Sequence, residues 1–462
     1  MKNVYSGHKC LIMAFAIMIM SGAATVARAQ SWLDVGSAGF TPGEADFNSI
    51  VLGKNDTPYV VYVDKYNLKK AIARKFDGSS WVALGNMPCS VSGAWSTSIA
   101  ADHNGAIYVG FVDYGNGGAA TVMKYDAAGW APVGVVGFTP GYAENVSVAV
   151  DPSGTPYIAY VDLSAGRGVT VMKYTDSGWV LLGRESFSAG TAAYTCITTD
   201  SSGIPYVVYQ DNANNNAATV VKYADTGWAI VGSAGFSAGA AFGYHWLAIA
   251  GDGTPYVAYN DGAHAGKATV MSFNGTGWVT TGTAGFSAGA AGLPSITLDG
   301  SGTPYVAYQD AGNGFKATVM KYSGTDWAPV GSAGFSAGPA LGTAIAVNSA
   351  GTPYVTYLDS SDNERATVMR YGLPTAVQPI AAATSSLTIF PNPTHNTFTL
   401  SISTPQPETA TITITNILGE KVKEFKTTTS ADTQVTLDAP AGIYFVTGVT
   451  SGSTQTEKVE VY

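Results

Sequence analysis

The stretch GTPYVAYQDAGNGFKATVMKYSGTDW, residues 302–327, is the unit from which most of the chain is built. Its segment YVAYQD alternates with period two, which places Val306, Tyr308 and Asp310 on one face of a predicted strand. A loop rich in Gly and Asn leads to a second predicted strand, ATVMKY. The turn SGTD then leads to Trp327, which opens a third, short strand. The unit therefore predicts an antiparallel sheet of short strands.

Seven tryptophans repeat this unit along the chain. They are separated by 49 or 50 residues: Trp32, Trp81, Trp130, Trp179, Trp228, Trp278 and Trp327. Each unit also contains an inner strand before the PYVAYxD segment, so that about four short strands occur per repeat. A period of this size with four strands per unit predicts a β-propeller, and an open solenoid is the competing interpretation.

The phase of the repeat favours a closed ring. The first three strands of the unit occur seven times, with inner strands beginning near Ser49, Ser98, Ser147, Cys196, Trp246, Ser295 and Ala344. The last copy ends at Tyr371 without a tryptophan strand, whereas residues 32–36 form a tryptophan strand that precedes the first copy. If this strand completes the last copy, no sheet edge stays exposed. We therefore predict an all-β protein with a seven-bladed propeller over residues 30–371, closed by its N-terminal strand. Small residues dominate the inner-strand position, as crowding near the axis requires, and Trp246 is the exception.

Composition and charge narrow the classes of function. Of the 462 residues 46% are hydrophobic and only 12% are charged, with 55 glycines, which is typical of short strands joined by glycine turns. The net charge is −9 and no basic patch occurs. Neither nucleic acid nor an anionic membrane is therefore an expected partner.

Residues 1–29 have the pattern of a signal peptide. Positive charge precedes an apolar run over residues 11–20, and Ala-Arg-Ala ends at Ala29 directly before Gln30, where cleavage is expected. The apolar run is too short to span a bilayer, and no later segment is a candidate. We expect the mature protein to be exported and soluble, without a transmembrane segment.

The most regular polar feature is an aspartate at the end of the second strand of every repeat. These residues are Asp64, Asp113, Asp162, Asp211, Asp261, Asp310 and Asp359. In a propeller this end of the blade lies on the face that also carries the connections between blades. The connections repeat their own motif, GFTPG, SFSAG or GFSAG, whose phenylalanines are Phe40, Phe138, Phe187, Phe236, Phe286 and Phe335. An aromatic ring beside a carboxylate and exposed amides can bind a sugar, and several weak equivalent sites gain by avidity.

A structural role competes with this interpretation. An aspartate at a strand end often accepts hydrogen bonds from its own loop, and a repeated phenylalanine can pack between blades. Calcium is a weaker alternative, because each repeat offers one evident carboxylate and the ion needs six or more oxygens. No other metal or cofactor is expected.

Signals for catalysis are few. Neither an HExxH motif nor a set of cysteines with zinc-ligand spacing occurs, and the histidines fall at unrelated positions of the repeat. A pair of glycosidase carboxylates is an alternative, since seven aspartates share one face. Two repeats depart from the pattern and are the places to look for one specialised site: the fifth, with 244–246 (Tyr-His-Trp) and His264, and the second, with Cys89 and Trp95. Cys89 and Cys196 lie in non-equivalent places, so we expect both thiols to be unpaired.

The repeat ends before the C-terminus. Residues 372–386 have the composition of a linker, and 387–462 contain about seven alternating runs that predict a separate small β-sandwich. Three motifs stand out in this last part: Pro391-Asn392-Pro393 after an apolar strand, Gly442-Ile443-Tyr444, and a terminal strand with Lys458.

On these motifs, residues 386–462 resemble the type A C-terminal sorting domain of the type IX secretion system. The resemblance implies a Gram-negative bacterium of the Bacteroidota type and export through the periplasm. It also implies that the secretion machinery of the outer membrane is a partner, and that the protein is released or held at the cell surface after the domain is removed. An ordinary accessory sandwich is the alternative.

Together these features predict a secreted or cell-surface binding protein, with multivalent binding of an extracellular glycan or surface polymer as the first hypothesis. A scaffold for protein–protein adhesion and a glycan-active hydrolase or lyase are the alternatives. Catalysis is the less favoured reading of the sequence, and the sequence names no catalytic residue.

Overall fold

The computed structural model describes residues 30–85, 88–225, 227–373, 386–403, 407–429, 431–450 and 454–462. The predicted signal peptide, with Ala29, and most of the predicted linker lie outside the described residues. The chain divides into two compact units between Leu373 and Pro374. Each unit is all-β.

The first unit consists of seven antiparallel sheets of four strands each. The first strand of the described residues, β1, is Ser31–Asp34. Blade 1 contains β2 (Ala45–Leu52), β3 (Pro58–Asp64), β4 (Lys70–Phe76) and β5 (Trp81–Ala83). Blade 2 contains β6 (Ala94–Ala101), β7 (Ile107–Asp113), β8 (Ala119–Asp126) and β9 (Gly129–Pro132). Blade 3 contains β10 (Ala143–Val150), β11 (Pro156–Asp162), β12 (Gly168–Thr175) and β13 (Gly178–Leu181).

The remaining blades repeat this order. Blade 4 contains β14 (Ala192–Thr199), β15 (Pro205–Asp211), β16 (Ala217–Ala224) and β17 (Gly227–Ile230). Blade 5 contains β18 (Ala241–Ile249), β19 (Pro255–Asp261), β20 (Lys267–Phe273) and β21 (Trp278–Thr280). Blade 6 contains β22 (Ala291–Leu298), β23 (Pro304–Asp310), β24 (Lys316–Tyr322) and β25 (Trp327–Pro329). Blade 7 contains β26 (Ala340–Val347), β27 (Pro353–Asp359), β28 (Arg365–Gly372) and, as its outer strand, β1.

Short 3₁₀ turns occur in the loops of the described blades. They span Lys54–Asp56, Tyr114–Asn116, Asn212–Asn214, Gly262–His264, Ala311–Asn313 and Ser360–Asp362. All but the first of these follow directly on the aspartate that ends the second strand of a blade.

The propeller closes as predicted. Strand β1 pairs antiparallel with β28, with Trp32 opposite Tyr371, so that the beginning of the chain supplies the outer strand of blade 7. The sequence prediction of a seven-bladed propeller closed by its N-terminal strand is therefore confirmed. Closure pairs the free edge that β28 would otherwise expose.

The outer tryptophans join each blade to the preceding one. The indole Nε1 of Trp32 donates a hydrogen bond to the Val330 carbonyl oxygen at 2.8 Å, and that of Trp81 donates to the Val35 carbonyl oxygen at 2.6 Å. The same bond recurs at Trp130, Trp179, Trp228, Trp278 and Trp327. One tryptophan hydrogen bond per repeat therefore stabilises each blade junction, including the junction that closes the ring.

Small residues on the inner strands explain how seven strands meet around the axis. The Ser98 hydroxyl accepts a hydrogen bond from the Val148 backbone N–H at 3.1 Å, and Ser147 does the same for Ile197 at 3.1 Å. Ser295 accepts from Ile345 at 3.3 Å. Neighbouring inner strands are thus linked by side chain to backbone at a distance that a larger side chain would prevent.

The apolar core lies between the blades, where the faces of adjacent sheets meet. Between blades 1 and 2, for example, Val61, Ile107, Val109 and Phe111 are buried together. Because the second and third strands of a blade are covered on both faces, their residues are apolar in succession rather than only in alternation.

The second unit contains β29 (Ser386–Phe390), β30 (Thr397–Ser403), β31 (Thr409–Asn416), β32 (Lys421–Thr428), β33 (Thr433–Thr436), β34 (Gly442–Val449) and β35 (Thr454–Val461). They form a three-stranded sheet, β29-β30-β33, and a four-stranded sheet, β32-β31-β34-β35. Phe398, Leu400, Ile412, Ile414 and Val446 are buried in one core that both sheets share. The unit therefore has its own apolar interior.

Candidate functional site

All seven predicted aspartates lie at the same end of their blades. In blade 1, Asp64 pairs with Ala45, the first residue of the inner strand, and the equivalent pair recurs in every blade. The aspartates therefore lie on the face where the chain enters each inner strand, which we call the connection face. Their side chains are buried there, since none of the seven residues is more than 7% exposed.

The carboxylates are occupied by their own loops. Asp310 Oδ1 accepts hydrogen bonds from the backbone N–H of Gly312 at 3.0 Å and of Gly289 at 3.2 Å. Its Oδ2 accepts from Asn313 Nδ2 at 2.7 Å and from the Thr318 hydroxyl at 3.3 Å. Asp310 thus joins the connection before blade 6, the turn after β23 and the strand β24. That these aspartates contact a ligand directly stays a prediction.

The hydrogen-bond partner of the aspartate Oδ2 differs between repeats. In blade 5, Asp261 Oδ2 lies 2.9 Å from His264 Nδ1, where blades 2, 4 and 6 place an asparagine amide. His264 therefore occupies the place of a loop asparagine. In blade 3, Asp162 Oδ2 is buried and finds no hydrogen-bond partner in the described part of the chain.

The predicted phenylalanines stack on the outer tryptophans. Phe335 lies parallel to Trp32 with ring centroids 3.9 Å apart, and Phe236 lies 4.0 Å from Trp278. The remaining stacked pairs are Phe40 with Trp81, Phe138 with Trp179, Phe187 with Trp228 and Phe286 with Trp327. In each case the ring precedes a blade and covers the tryptophan of that same blade. These contacts hold the rings between blades, and a sugar-binding role for them likewise stays a prediction.

A hydroxyl residue beside each phenylalanine was not singled out from the sequence. Ser336 Oγ accepts a hydrogen bond from the Ala317 backbone N–H at 2.9 Å and donates to the Gly338 carbonyl oxygen at 2.7 Å. Equivalent bonds to the third strand of a blade occur at Thr41, Ser90, Thr139, Ser188, Ser237 and Ser287. The sequence signal for this hydrogen bond is the Ser or Thr that occurs in every copy of the connection motif. In blade 2, Cys89 takes the place of the phenylalanine and is buried, with an unpaired thiol.

A β-bulge near the start of each inner strand builds a second, less uniform ring on the connection face. Each pairing of inner and second strand shifts register there, for example between Asp46 and Ser49. One residue per bulge has a positive φ: Phe47, Ser96, Asn145, Tyr194, Gly243, Leu293 and Gly342. Seven repeats that agree at the aspartate and the tryptophan thus present different side chains here.

The bulges surround an axial pocket of about 270 Å³ on the connection face. Its lining includes Asn48, Ser98, Ser147, Thr195 and Trp246. Hydroxyl and amide groups therefore share the pocket with one indole. Trp246, the exception to the small inner-strand residues, is half-buried and contributes, together with Phe47, the aromatic surface of the wall.

Asn48 supplies an unused hydrogen-bond acceptor in this wall. Its Nδ2 donates to the Thr356 hydroxyl at 3.3 Å, but its buried Oδ1 has no hydrogen-bond partner among the described residues. Gly342, in the bulge of the neighbouring blade 7, has φ +57°, and a Cβ built there would lie 2.7 Å from this oxygen. This oxygen is covered by the wall, and its missing hydrogen bond costs free energy.

Carboxylates dominate one side of the pocket mouth. Lys65 Nζ contacts Glu44, and it lies 3.3 Å from Glu364 and 4.0 Å from Asp46. The hydrogen bond from Lys65 lowers the pKa of Glu44, so this carboxyl is ionised at neutral pH. Three carboxylates share one ammonium group, which leaves this side of the mouth negative.

The other unusual residues lie around the same mouth or outside it. Trp95, one residue before the bulge of β6, contacts Phe47 with ring centroids 4.3 Å apart. Cys196 lines the pocket and its thiol is unpaired. The side chains of residues 244 and 245 lie outside the described part of the molecule. Among the residues that the structure describes, no group of three His, Cys, Asp or Glu side chains comes together to hold a metal ion.

The predicted sorting motif lies against the last strand of the second unit. Asn392 Nδ2 donates to the Lys458 carbonyl oxygen at 2.6 Å, and Asn392 Oδ1 accepts from the Glu460 N–H at 2.9 Å. Asn392 thus ties the loop between Pro391 and Pro393 to β35. Tyr444, two residues after Gly442, donates its hydroxyl to the Pro440 carbonyl oxygen at 2.7 Å. None of the helices described is long and apolar enough to cross a membrane.

Solved structures with similar folds include several propellers. A fungal alcohol oxidase in complex with copper is 11% identical, with 94% of this chain and 99% of that chain covered and a TM-score of 0.48. The six-bladed lectin of Aleuria aurantia is 15% identical, with 65% and 100% covered and a TM-score of 0.44. An ulvan lyase is 12% identical, with 75% and 96% covered and a TM-score of 0.46. These likenesses concern the fold alone. A comparison with curated proteins finds no match.

The C-terminal unit has a clear family relationship. Residues 388–461 match the family described as the secretion system C-terminal sorting domain. The match covers most of the second unit and confirms the resemblance that the sequence motifs indicated. The chain therefore carries a secretion system C-terminal sorting domain after a seven-bladed β-propeller.

Proposed function

We propose that the mature protein is a secreted or surface-held binding protein for an extracellular glycan, and that the axial pocket on the connection face is its principal site. The sorting domain supports export, through the periplasm and the type IX machinery, to the outside of a Gram-negative bacterium of the Bacteroidota type. Removal of the sorting domain after transport, followed by release or attachment at the surface, belongs to the same proposal.

The observation that carries the proposal is the composition of the pocket wall. A sugar ring offers apolar C–H groups on its faces and hydroxyls around its edge. The indole of Trp246 suits such a face, and the hydroxyl and amide side chains of the wall, such as Ser98, Thr195 and Asn48, suit the sugar hydroxyls. A volume of about 270 Å³ lies below the 300–1,000 Å³ of pockets for drug-sized ligands, which favours one sugar unit over a long buried chain.

The repeated aspartates and phenylalanines support the site from a distance in this proposal. Their hydrogen bonds and stacking contacts fix the loops and blade junctions that surround the mouth. Multivalent binding by equivalent loops would add weaker contacts around the principal site. The two arrangements differ in their response to mutation, because a principal site depends on one residue whereas equivalent sites share the affinity.

A glycan array followed by calorimetry on the mature chain tests this function. We expect Trp246→Ala to lower the affinity for the best array ligand at least tenfold, which corresponds to about 1.4 kcal/mol. Trp246→Phe should retain part of the affinity because it keeps an aromatic face. Phe315→Ala is the matched control, since Phe315 is an exposed ring of a blade 6 loop that does not line the pocket.

Thermal unfolding of each variant shows whether the fold is intact. Binding that survives Trp246→Ala in a folded protein would contradict the axial site. An array without any bound glycan would contradict the function itself and direct attention to protein partners.

A further inference from the structure

We propose that the ligand is an oligosaccharide of neutral sugars, and that the Phe47–Trp95 pair forms a second subsite beside the axial pocket. This inference rests on the proposed function. The axial pocket holds one sugar unit, and the next unit lies over the exposed ring of Trp95 on blade 2.

Continuity between pocket and surface is the first argument. Phe47 lines the axial pocket, and its ring meets Trp95 at an interplanar angle of 63°. Trp95 is 38% exposed and lies outside the buried core clusters of the blades. An aromatic surface therefore runs without interruption from the pocket wall onto the connection face.

The backbone at Phe47 is the second argument. Phe47 has φ +48°, a conformation that costs free energy for a bulky residue. Two hydrogen bonds fix it: the Phe47 N–H donates to Asp46 Oδ1 at 3.0 Å, and the Thr97 hydroxyl donates to the Phe47 carbonyl oxygen at 2.5 Å. The ring is thus held in place before a ligand arrives, which reduces the ordering entropy that binding requires.

Comparison among blades indicates the direction of the chain. Phe242 holds the same position on blade 5 as Trp95 on blade 2 and is 52% exposed. On the preceding blade, however, the bulge residue that corresponds to Phe47 is Tyr194, which, unlike Phe47, is not among the described residues that line the pocket. The arrangement favours an oligosaccharide that leaves the pocket over blade 2.

Charge at the mouth indicates the class of sugar. Glu44, Asp46 and Glu364 share the single ammonium of Lys65, and the whole chain has a net charge of −9. A uronate or sulfate group would meet like charge at the mouth, which opposes binding. Neutral pyranose units avoid this repulsion and keep the C–H faces that suit the indole of Trp95.

The test is calorimetry of the mature chain with neutral cello-, laminari-, manno-, xylo- and chito-oligosaccharides of one to four units. For the series that binds, we expect the affinity to rise at least tenfold from one unit to two or three. Trp95→Ala should abolish this rise and leave the affinity for the single unit within twofold. Trp95→Phe should restore most of the rise. Phe242→Ala, the matched variant at the equivalent position of blade 5, should have no effect.

The outcomes separate this inference from the proposed function. Binding that depends on Trp246 but is independent of chain length or of Trp95 overturns the second subsite and leaves the axial site intact. Loss of the chain-length effect in Phe242→Ala instead overturns the proposed direction. Failure of every neutral series, with binding of a uronate oligomer such as tri-galacturonate, overturns the sugar class. Failure of all probes overturns both proposals.

Discussion

At the scale of the residue, the aspartate of the repeat is the most informative side chain. The structure surrounds Asp310 with four donors from three segments of the chain, and the residue is 1% exposed. A group in this position stabilises the loop whether or not a ligand is bound. Its deletion leaves backbone and side-chain donors without partners in a place that water reaches poorly.

We therefore expect Asp310→Ala to lower the free energy of unfolding by about 3 kcal/mol, because unpaired buried donors cost roughly 1–3 kcal/mol each and the loop relaxes in part. Urea denaturation followed by tryptophan fluorescence measures this. Asp252→Ala is the control: Asp252 accepts the Thr254 N–H at 2.9 Å in an exposed turn, and its loss should cost under 1 kcal/mol. Unchanged stability of Asp310→Ala with lost glycan binding would favour direct contact with the ligand.

At the scale of the element, strand β1 combines favourable packing with an unfavourable charge. Partial desolvation raises the pKa of Asp34, an exposed residue at its end, and the nearby carboxylate of Asp359 raises it further. A folded-state pKa above the unfolded value of 3.8 means that the protonated form favours folding. This contribution is complete below pH 3.8 and is lost as the pH rises through the raised folded-state pKa.

Asp34→Asn should consequently raise the unfolding midpoint at pH 7 and leave it nearly unchanged at pH 3, as followed by thermal scans at both pH values. Asp326 provides a control of opposite sign. Hydrogen bonds from the Thr283 and Trp327 N–H groups lower its pKa, so it stabilises the fold above its ordinary pKa. Asp326→Asn should lower the midpoint at pH 7. A decrease for Asp34→Asn at pH 7 would contradict the role of repulsion at the closing strand.

The elements also show what the sequence can and cannot predict. The tryptophan period and the unpaired strand near Trp32 predict both the number of blades and the closure, because these signals are local and repeat in register. The sequence does not predict that Asp310 is buried, because its burial depends on the connection that brings Gly289 over the carboxylate. The axial pocket was not predicted: the sequence marked Trp246 as unusual, but the bulges that contain Phe47, Ser96 or Gly243 share no residue type that would mark them.

At the scale of the whole molecule, ring closure is the property that all blades share. Each outer tryptophan donates to the preceding blade, and the bond from Trp32 to Val330 completes the circle. Removing β1 would leave blade 7 with three strands, expose the edge of β28 and free Phe335 from its stacking contact with Trp32. The deletion therefore removes only a short segment of the chain, but the loss of its contacts opens the ring.

A chain that starts at Ser37 tests the importance of closure. We expect it to melt roughly 5 °C or more below the chain that starts at Gln30, because losing the partly buried Trp32 together with the buried Val35 costs about 3–5 kcal/mol and each kcal/mol shifts Tm by about 1–2 °C in a domain of this size. We also expect association, detected by sedimentation velocity, since an unpaired edge templates pairing with another chain. The peptide QSWLDVGS, residues 30–37, added in trans should restore both properties, whereas the same peptide with Trp32→Ala should not. If the truncated chain has the same Tm as the intact one and stays monomeric, six complete blades stabilise the seventh without its outer strand, and closure by β1 is not required.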